Sequence, residues 1–214
     1  MKQAFKYVLL FATIWMMGHL SGMAQQDAEA KRILDRMSRT IKQAKGMDIH
    51  FTLTNYLHGT PQSSMQGNIC LQTDRFRLTT PEMITWFDGK TQWSYLTINE
   101  EVNISNPEKE ELQTINPLAI IGLYKQGYHY QLARTTEKLY EIVLTAENEE
   151  RQLSDLTLYV DRKTFLPHSV KVREAGKGYN LITIDQLKTG MNWENSFFTF
   201  DSQQYPHAEV IDLR

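Results

Sequence analysis

Histidine and cysteine are among the side chains of this 214-residue chain that could bind a transition metal. A zinc site needs ligands at short spacings such as H-x-H or H-x₃-H, and no two histidines of the predicted mature chain have such a spacing. The sole cysteine, Cys70, has no partner thiol. We therefore interpret the histidines as surface or strand-edge residues and expect neither a metal nor another cofactor. The histidines concerned are His50, His58, His129, His168 and His207.

Motifs typical of nucleophilic or phosphate-binding enzymes are also missing from the chain. We find no G-x-S-x-G, no glycine-rich phosphate loop and no kinase or lactamase signature. The stretch GKGYN (176–180) has two glycines and a lysine without the strand–loop–helix context of a phosphate loop, so we interpret it as a hairpin turn. The acidic runs at 99–101, 108–111 and 147–150 fall on predicted turns or at a helix start. An enzyme stays possible, but nothing argues for one, and we expect a protein that binds without catalysis.

Apolar surface is what the chain offers instead. Large apolar residues alternate along four neighbouring predicted strands and indicate one continuous inward face. Each residue alone is explained more simply as core, but a curved sheet of many strands encloses a volume that helices must fill or cap. An apolar cover over an incompletely filled sheet makes a pocket for a hydrophobic ligand. The predicted pocket residues are Phe51, Leu53, Phe76, Leu78, Ile84, Trp86, Trp93 and Tyr95.

The predicted cover is the mid-chain stretch INPLAIIGLYKQG (115–127), which interrupts the alternation. Pro117 after an asparagine is typical of a helix start, and Gly127 is typical of a helix end. Burying five large apolar side chains would contribute on the order of 10 kcal/mol. We therefore predict a short helix that serves as a lid over the cavity. The predicted lid residues are Leu118, Ile120, Ile121, Leu123 and Tyr124.

The remaining elements are one long helix and many strands. Apolar residues at three- and four-residue steps predict a helix over 27–46, with Asp27 as its N-cap and Gly46 as its stop. From residue 47 the apolar period is two, and turn clusters separate about eleven strands, the last at 196–200. Asp88-Gly89 and the stretch GTPQ (59–62) are predicted turns. This pattern predicts a mainly β, α+β fold in one domain, as an antiparallel barrel or sandwich.

The N-terminus has the features of an export signal. Lys2 and Lys6 precede the apolar stretch 7–17, and a small-residue cleavage site ends at residue 24, which predicts a signal peptide over 1–24 and a mature domain over 25–214. Of the 23 basic residues 21 remain against 25 acidic ones, so a nucleic-acid partner is not expected. We expect a soluble periplasmic monomer. Cys70 is expected to be a small buried residue on a strand.

The order of these elements resembles that of the LolA family, periplasmic carriers of outer-membrane lipoproteins. The resemblance covers essentially the whole mature chain. It rests on an amphipathic helix followed by DIHFTLTNY (48–56), GNICL (67–71), RFRL (75–78), FDGKTQWSY (87–95), EVNIS (101–105), INPLAIIGLY (115–124) and FFTFDSQQYPHAEVIDLR (197–214). The most specific parts are the aromatic hairpin and the C-terminal stretch.

The resemblance implies a single unclosed, antiparallel β-barrel of about eleven strands, whose apolar concave face is covered by helices. Family members hold the acyl chains of a lipoprotein there, receive it from an inner-membrane transporter and pass it to an outer-membrane acceptor. One feature departs from the family pattern. The basic residue and proline expected just before Phe76, where the basic group latches the lid, are replaced by Thr73 and Asp74. Arg75 and Arg77 are expected to point away from the face of Phe76.

Three functions follow from these observations. The first is a carrier that ferries acylated lipoproteins from the inner to the outer membrane. The second is a lipid- or peptide-sensing module on the same fold, which signals the state of the envelope to a partner. The third, a hydrolase with a lipid substrate, requires a nucleophile and a base that the sequence does not reveal.

Overall fold

A computed structural model describes residues 27–108, 111–112, 120–148, 153–173 and 178–214 of the chain. The predicted signal peptide over 1–24, Leu118 and the first two residues of the GKGYN stretch therefore lie outside the described residues.

The long helix α1 spans Ala28–Gln43, as predicted. The side chain of Asp27 caps it by accepting hydrogen bonds from the backbone N–H groups of Glu29 and Ala30. The predicted stop at Gly46 is wrong, because the left-handed residue is Lys45, with a φ of 59°, and Gly46 begins the first strand. A Cβ at position 46 would lie 2.4 Å from a backbone oxygen of Met191, so glycine is needed there for the close approach of two chain segments.

Twelve strands form one sheet in the described part of the chain. The C-terminal strand pairs in parallel with β6, and every other neighbouring pair is antiparallel. The order is β12-β6-β5-β4-β3-β2-β1-β11-β10-β9-β8-β7, so β12 and β7 are the two ends of an unclosed sheet. The strands are β1 (Gly46–Leu57), β2 (Thr60–Gln72), β3 (Arg75–Thr79), β4 (Met83–Phe87), β5 (Gln92–Leu96), β6 (Glu101–Ser105), β7 (Tyr128–Thr135), β8 (Leu139–Ala146), β9 (Asp155–Asp161), β10 (Pro167–Arg173), β11 (Gly178–Thr189) and β12 (Glu209–Asp212).

Two sequence predictions about these strands are wrong in detail. The predicted strand at 196–200 is a 3₁₀ helix, Asn195–Phe198, in which the adjacent rings of Phe197 and Phe198 meet edge to face. The twelfth strand lies further on, at Glu209–Asp212. The turn expected at 59–62 is the pair His58-Gly59, whose φ values of 51° and 80° are those of a two-residue hairpin loop. The Asp88-Gly89 turn is confirmed within the loop that joins β4 and β5.

Helix α1 lies on one face of the sheet, which we call the inner face; the opposite face is the outer face. The helix starts at the β7 edge, where Asp27 Oδ2 accepts a hydrogen bond of 2.8 Å from the backbone N–H of Leu132. It ends beside β11, where the N–H of Gly190 donates to the carbonyl of Ala44. Its 16 residues extend about 24 Å, enough to cross the roughly 19 Å from β7 to β11. Helix α1 therefore covers only half of the inner face.

The buried core on the inner face has two parts. The first cluster joins α1 to β7–β10, and the second cluster lies on β1–β4. Half-buried Ile182 of β11 packs against both, so the apolar surface is continuous between them. The first cluster includes Ala30, Ile33, Leu34, Met37, Tyr128, Tyr130, Ile142, Leu144, Leu156 and Leu158. The second consists of Met47, Ile49, Phe51, Ile69, Leu71, Phe76, Leu78 and Phe87.

Candidate functional site

Four of the eight predicted pocket residues share the inner face. The strand register pairs Leu71 with Phe76 and Ile69 with Leu78, which places both β3 residues in the second cluster. Phe51 lies in the same cluster, and half-buried Leu53 packs against it. These four residues are Phe51, Leu53, Phe76 and Leu78.

The other four predicted pocket residues, Ile84, Trp86, Trp93 and Tyr95, lie on the outer face. Strand β3 pairs with β4 so that Phe76 faces Phe87 while Arg77 faces Trp86. Strand β5 then continues the outer row, because Trp93 is opposite Trp86 and Tyr95 is opposite Ile84. The prediction of one continuous inward face is therefore wrong for these residues. The β4 sequence MITWF has no clear alternation, so the sequence alone could not tell which of its residues point inward.

The C-terminal segment covers these outer aromatic residues. The ring of Tyr205 lies 5.6 Å from that of Trp86 and 4.7 Å from that of Tyr95, measured between ring centroids. Phe200 meets Trp86 edge to face at 5.7 Å. Such aromatic contacts explain why Trp86 is buried although it is on the outer face. The aromatic side chains of β4 and β5 thus hold the C-terminal segment against the sheet.

Arg77 also belongs to the outer face. Its guanidinium lies 5.5 Å from the ring centroid of Trp86 and 5.2 Å from that of Phe197. Arg75 hydrogen bonds to Asn195 and lies over the ring of Phe198. The expectation that both arginines point away from the face of Phe76 is confirmed. Neither can reach a cover on the inner face.

The described parts of the mid-chain segment lie on the inner face. Helix α2 is a single turn, Ile120–Leu123. This turn includes Ile120 and Ile121, whereas Leu118 lies outside the described residues. Leu123 and Tyr124 are buried in the first cluster, beside α1. Further upstream, Leu112 packs against the second cluster. The chain between Leu112 and Tyr124 therefore touches the two clusters at its two ends.

A polar contact joins this segment to α1. The hydroxyl of Tyr124 donates a hydrogen bond of 2.8 Å to Asp35 Oδ1, and Lys31 Nζ lies 2.6 Å from Asp35 Oδ2. The hydrogen bonds from Lys31 and Tyr124 lower the pKa of Asp35. Burial, together with the hydrogen bond to Asp35, raises the pKa of Tyr124. Tyr124 is one of the predicted lid residues, whereas no feature of the sequence pointed to Asp35 as its partner.

The surface between the two clusters is where a ligand could reach the inner face. Leu53, Ile182 and Ile184 of β1 and β11 are all half-buried and apolar. The register between β1 and β11 places them on one face, because Leu53 pairs with Ile182, and Ile184 pairs with the inner-face residue Phe51. Sequence reasoning placed Ile182 and Ile184 on a strand but did not select them as site residues. The available signal was the alternation of the two isoleucines with Thr183 and Asp185.

The polar groups of the described residues offer little for catalysis. No group of three or more His, Cys, Asp and Glu side chains there could hold a metal. Cys70 is buried on β2, as expected. Burial and the neighbouring carboxylate of Asp48 raise the pKa of the Cys70 thiol to about 11, so it is protonated near neutral pH. His50 Nε2 lies 3.7 Å from Asp48 Oδ1 at the surface.

A cavity of about 460 Å³ opens on the outer face of β8–β11. Lys171 Nζ lies 4.1 Å from the ring centroid of Tyr179, and Arg173 lies 3.7 Å from Asp155. The charged lining makes this cavity a poorer environment for an acyl chain than the inner face, because desolvating charges costs free energy. We therefore place the candidate site on the inner face. The lining of the outer-face cavity consists of Val143, Asp155, Leu156, Thr157, Lys171, Arg173, Gly178 and Tyr179.

No helix among the described residues is both long and apolar enough to pass through a lipid bilayer.

Comparison with known proteins decides the family. A family model described as outer membrane lipoprotein carrier protein LolA matches residues 20–177. The chain belongs to this LolA family. A search of curated proteins found no match. The resemblance in the sequence is therefore confirmed at the level of the family, which is one of carrier proteins.

Solved structures agree on the fold. An uncharacterized conserved protein from Thermus thermophilus superimposes with a TM-score of 0.58 at 14% identity, covering 86% of this chain and 99% of that one. MucB gives a TM-score of 0.50 at 18% identity, covering 82% of this chain and 64% of that one. A LolA superfamily protein from Nitrosomonas europaea gives a TM-score of 0.46 at 10% identity, covering 80% of this chain and 97% of that one. The overlap with the first two of these structures shows that they share the fold of this chain, an unclosed sheet with an N-terminal helix.

Proposed function

We propose that this protein is a periplasmic carrier that binds the acyl chains of lipoproteins on its inner face and ferries them from the inner to the outer membrane. The observation that carries the proposal is the apolar surface at Leu53, Ile182 and Ile184, which is half-buried and joins two fully buried clusters. These neighbouring side chains form a continuous apolar surface that an acyl chain could contact. Membership of a family of lipoprotein carriers supports the same function.

The energetics of such a site suit a carrier. Each methylene group taken out of water contributes about 0.8 kcal/mol, so an acyl chain needs no charged or covalent contact to stay bound. The inner face supplies apolar side chains such as Phe51, Phe76 and Leu78 for this purpose. A carrier must also release its cargo, and an apolar surface with few directional contacts allows transfer to a more favourable acceptor.

The mid-chain segment is the proposed lid of this site. Leu123 of this segment rests on the first cluster, and Leu112, just upstream of it, rests on the second, so the chain has contacts at both sides of the half-buried surface. Because Arg75 and Arg77 lie on the outer face, the hydrogen bond from Tyr124 to Asp35 would hold the lid to α1 instead. Opening the lid then requires this bond to break, and Ile120 and Ile121 would cover the acyl chain together with Leu118.

The proposed route begins with export. The segment 1–24 would act as a signal peptide, leaving 25–214 as the carrier domain in the periplasm. The carrier would receive acylated lipoproteins from an inner-membrane releasing transporter and deliver them to an outer-membrane acceptor, acting as a monomer.

A pair of variants tests the site. Ile182→Glu places a charge on the inner face, whereas Leu181→Glu places the same charge on the outer face of the same strand, and both residues are half-buried. Each protein is isolated from its own periplasm and its bound molecules are identified by mass spectrometry. We expect an acylated species with the wild type and Leu181→Glu, and much less with Ile182→Glu, because an unpaired charge in an apolar site is costly. Equal loading of both variants would contradict the proposed site.

A release assay tests the carrier function against the sensor. Added to spheroplasts, a carrier releases newly made lipoproteins into the medium. A sensor on the same fold releases none and instead co-purifies with a membrane-anchored regulator. Absence of release would reject the carrier function even if the acyl chains bind.

A further inference from the structure

Two unpartnered polar atoms lie on the inner face of β4 and β5. In the part of the chain that the structure describes, the buried side-chain atoms without a hydrogen-bond partner are Arg77 Nε, Thr85 Oγ1 and Gln92 Oε1. Arg77 is on the outer face, but Thr85 pairs with Leu78 and is 0% exposed, and Gln92 pairs with Phe87. The two inner-face atoms therefore border the second cluster.

Thr85 and Gln92 are close neighbours across the sheet. Thr85 lies directly opposite Ser94 on β5, and Gln92 is two residues before Ser94 on the same face. The amide nitrogen of Gln92 donates a hydrogen bond of 3.1 Å to Ser94 Oγ, which leaves the Gln92 oxygen as the free end of that side chain. Side chains at directly opposite positions are about 5 Å apart at Cβ, and diagonal ones about 7–8 Å. One small polar group of a ligand can thus span both atoms.

Their chemistry selects the kind of group that fits. A buried polar atom without a partner costs free energy, and proteins rarely leave two on neighbouring strands. The Thr85 hydroxyl can donate a hydrogen bond, whereas the Gln92 oxygen can only accept one. A secondary amide satisfies both, because its carbonyl oxygen accepts and its N–H donates. An ester has the carbonyl oxygen but no N–H.

We propose that Thr85 and Gln92 form a subsite for an amide-linked acyl chain. Thr85 donates to the carbonyl oxygen of the linkage, Gln92 accepts its N–H, and the hydrocarbon chain runs over Phe76 and Leu78 in the same cluster. Because Thr85 is fully buried, its cover must move for a ligand to reach it, so this inference rests on the proposed function.

The test compares two ligands that differ only in the linkage. N-methylpalmitamide and methyl palmitate compete with a fluorescent acyl probe for the purified full mature chain. We expect the wild type to bind the amide about tenfold more tightly than the ester, the factor for one additional hydrogen bond in a desolvated site. Binding of neither ligand or probe would reject the proposed function itself. Equal binding of amide and ester would reject only the subsite.

Variants separate the two roles. Gln92→Met keeps the length of the side chain and is expected to abolish the preference for the amide without weakening the ester. Thr85→Val keeps the shape and is expected to weaken both ligands about tenfold, because both have a carbonyl oxygen. Thr79→Val, at a half-buried position that faces Ile84 on the outer side, is the matched control and should change neither affinity.

The stability of the ligand-free protein supplies an independent readout. If the Thr85 hydroxyl is unpartnered until a ligand binds, Thr85→Val raises the midpoint of denaturant unfolding while it lowers the affinity for acyl ligands. A hydroxyl that a buried water already satisfies gives the opposite result, with lower stability and unchanged affinities. That outcome would overturn the subsite.

Discussion

The hydrogen bond between Tyr124 and Asp35 attaches the mid-chain segment to α1, and its contribution to the free energy of unfolding can be measured. Tyr124→Phe removes the hydroxyl and keeps the ring, which packs edge to face with Tyr130 at 6.0 Å. A hydrogen bond to a charged group contributes about 1.5–3 kcal/mol, and the Asp35 side chain is 33% exposed and keeps its contact with Lys31. We therefore expect the lower end, a loss of about 1.5 kcal/mol in the free energy of unfolding. For a domain of this size that corresponds to a fall of roughly 3–6 °C in Tm.

The pH dependence of this loss follows from the two pKa shifts. The lowered pKa of Asp35 means that its contribution is present above the unfolded-state pKa, about 3.9, and is lost as the pH falls through the lower folded-state pKa. The raised pKa of Tyr124 means that its contribution is present below the unfolded-state pKa, about 10, and is lost as the pH rises through the folded-state pKa. The hydrogen bond thus stabilises the protein most between about pH 4 and pH 10.

A double-mutant cycle measures the interaction free energy of Tyr124 and Asp35. It requires urea unfolding of four proteins: the wild type, Tyr124→Phe, Asp35→Asn and the double variant. At pH 7 we expect a coupling free energy of about 1 kcal/mol, which becomes smaller at pH 2 because the pH has fallen towards the lowered pKa of Asp35. Tyr95→Phe, on the outer face, is the control and should show the same change in stability at both pH values. An equal loss for Tyr124→Phe at pH 7 and pH 2, or no coupling with Asp35, would refute the reasoning.

Three further predictions test other parts of the molecule. Gly67→Ala should lower the free energy of unfolding by about 1–3 kcal/mol, because its Cβ would lie 2.4 Å from the Phe51 ring. Gly122→Ala should not lower it, because its Cβ would meet no atom of another part of the chain within 4 Å, and equal effects of the two variants would contradict this packing. Trp86→Ala should lower the free energy of unfolding by about 3–5 kcal/mol and leave the affinity of the folded protein for acyl probes unchanged. A lower affinity would place Trp86 in the site after all. Cys70 should react with a thiol reagent at pH 8 only after denaturation, since burial raises its pKa to about 11; rapid labelling of the native protein would contradict this.

The sequence predicted best the elements whose cause is local. Helix α1 was found because its apolar period and the Asp27 cap lie within one continuous stretch of chain. The hairpin around Asp88-Gly89 was found because loop residues and flanking strands are adjacent in sequence. The 3₁₀ helix at Asn195–Phe198 was mistaken for a strand, because its run of aromatic residues resembles one until the neighbours that bury Phe198 are known.

Composition, the apolar period and the family resemblance together determined a mainly β carrier fold without recognisable catalytic motifs. Only the tertiary structure decided which apolar residues face the candidate site. Trp86 and Phe76 look alike in the sequence, but the register between β3 and β4 puts them on opposite faces of the sheet. Tyr124 and Asp35 are distant in the sequence and meet only in the folded chain, and the strand register places Thr85 and Gln92 on the inner face. The physical reason is that side chains alternate with a period of two along a strand, so a one-residue change of register exchanges the two faces while the local pattern stays the same.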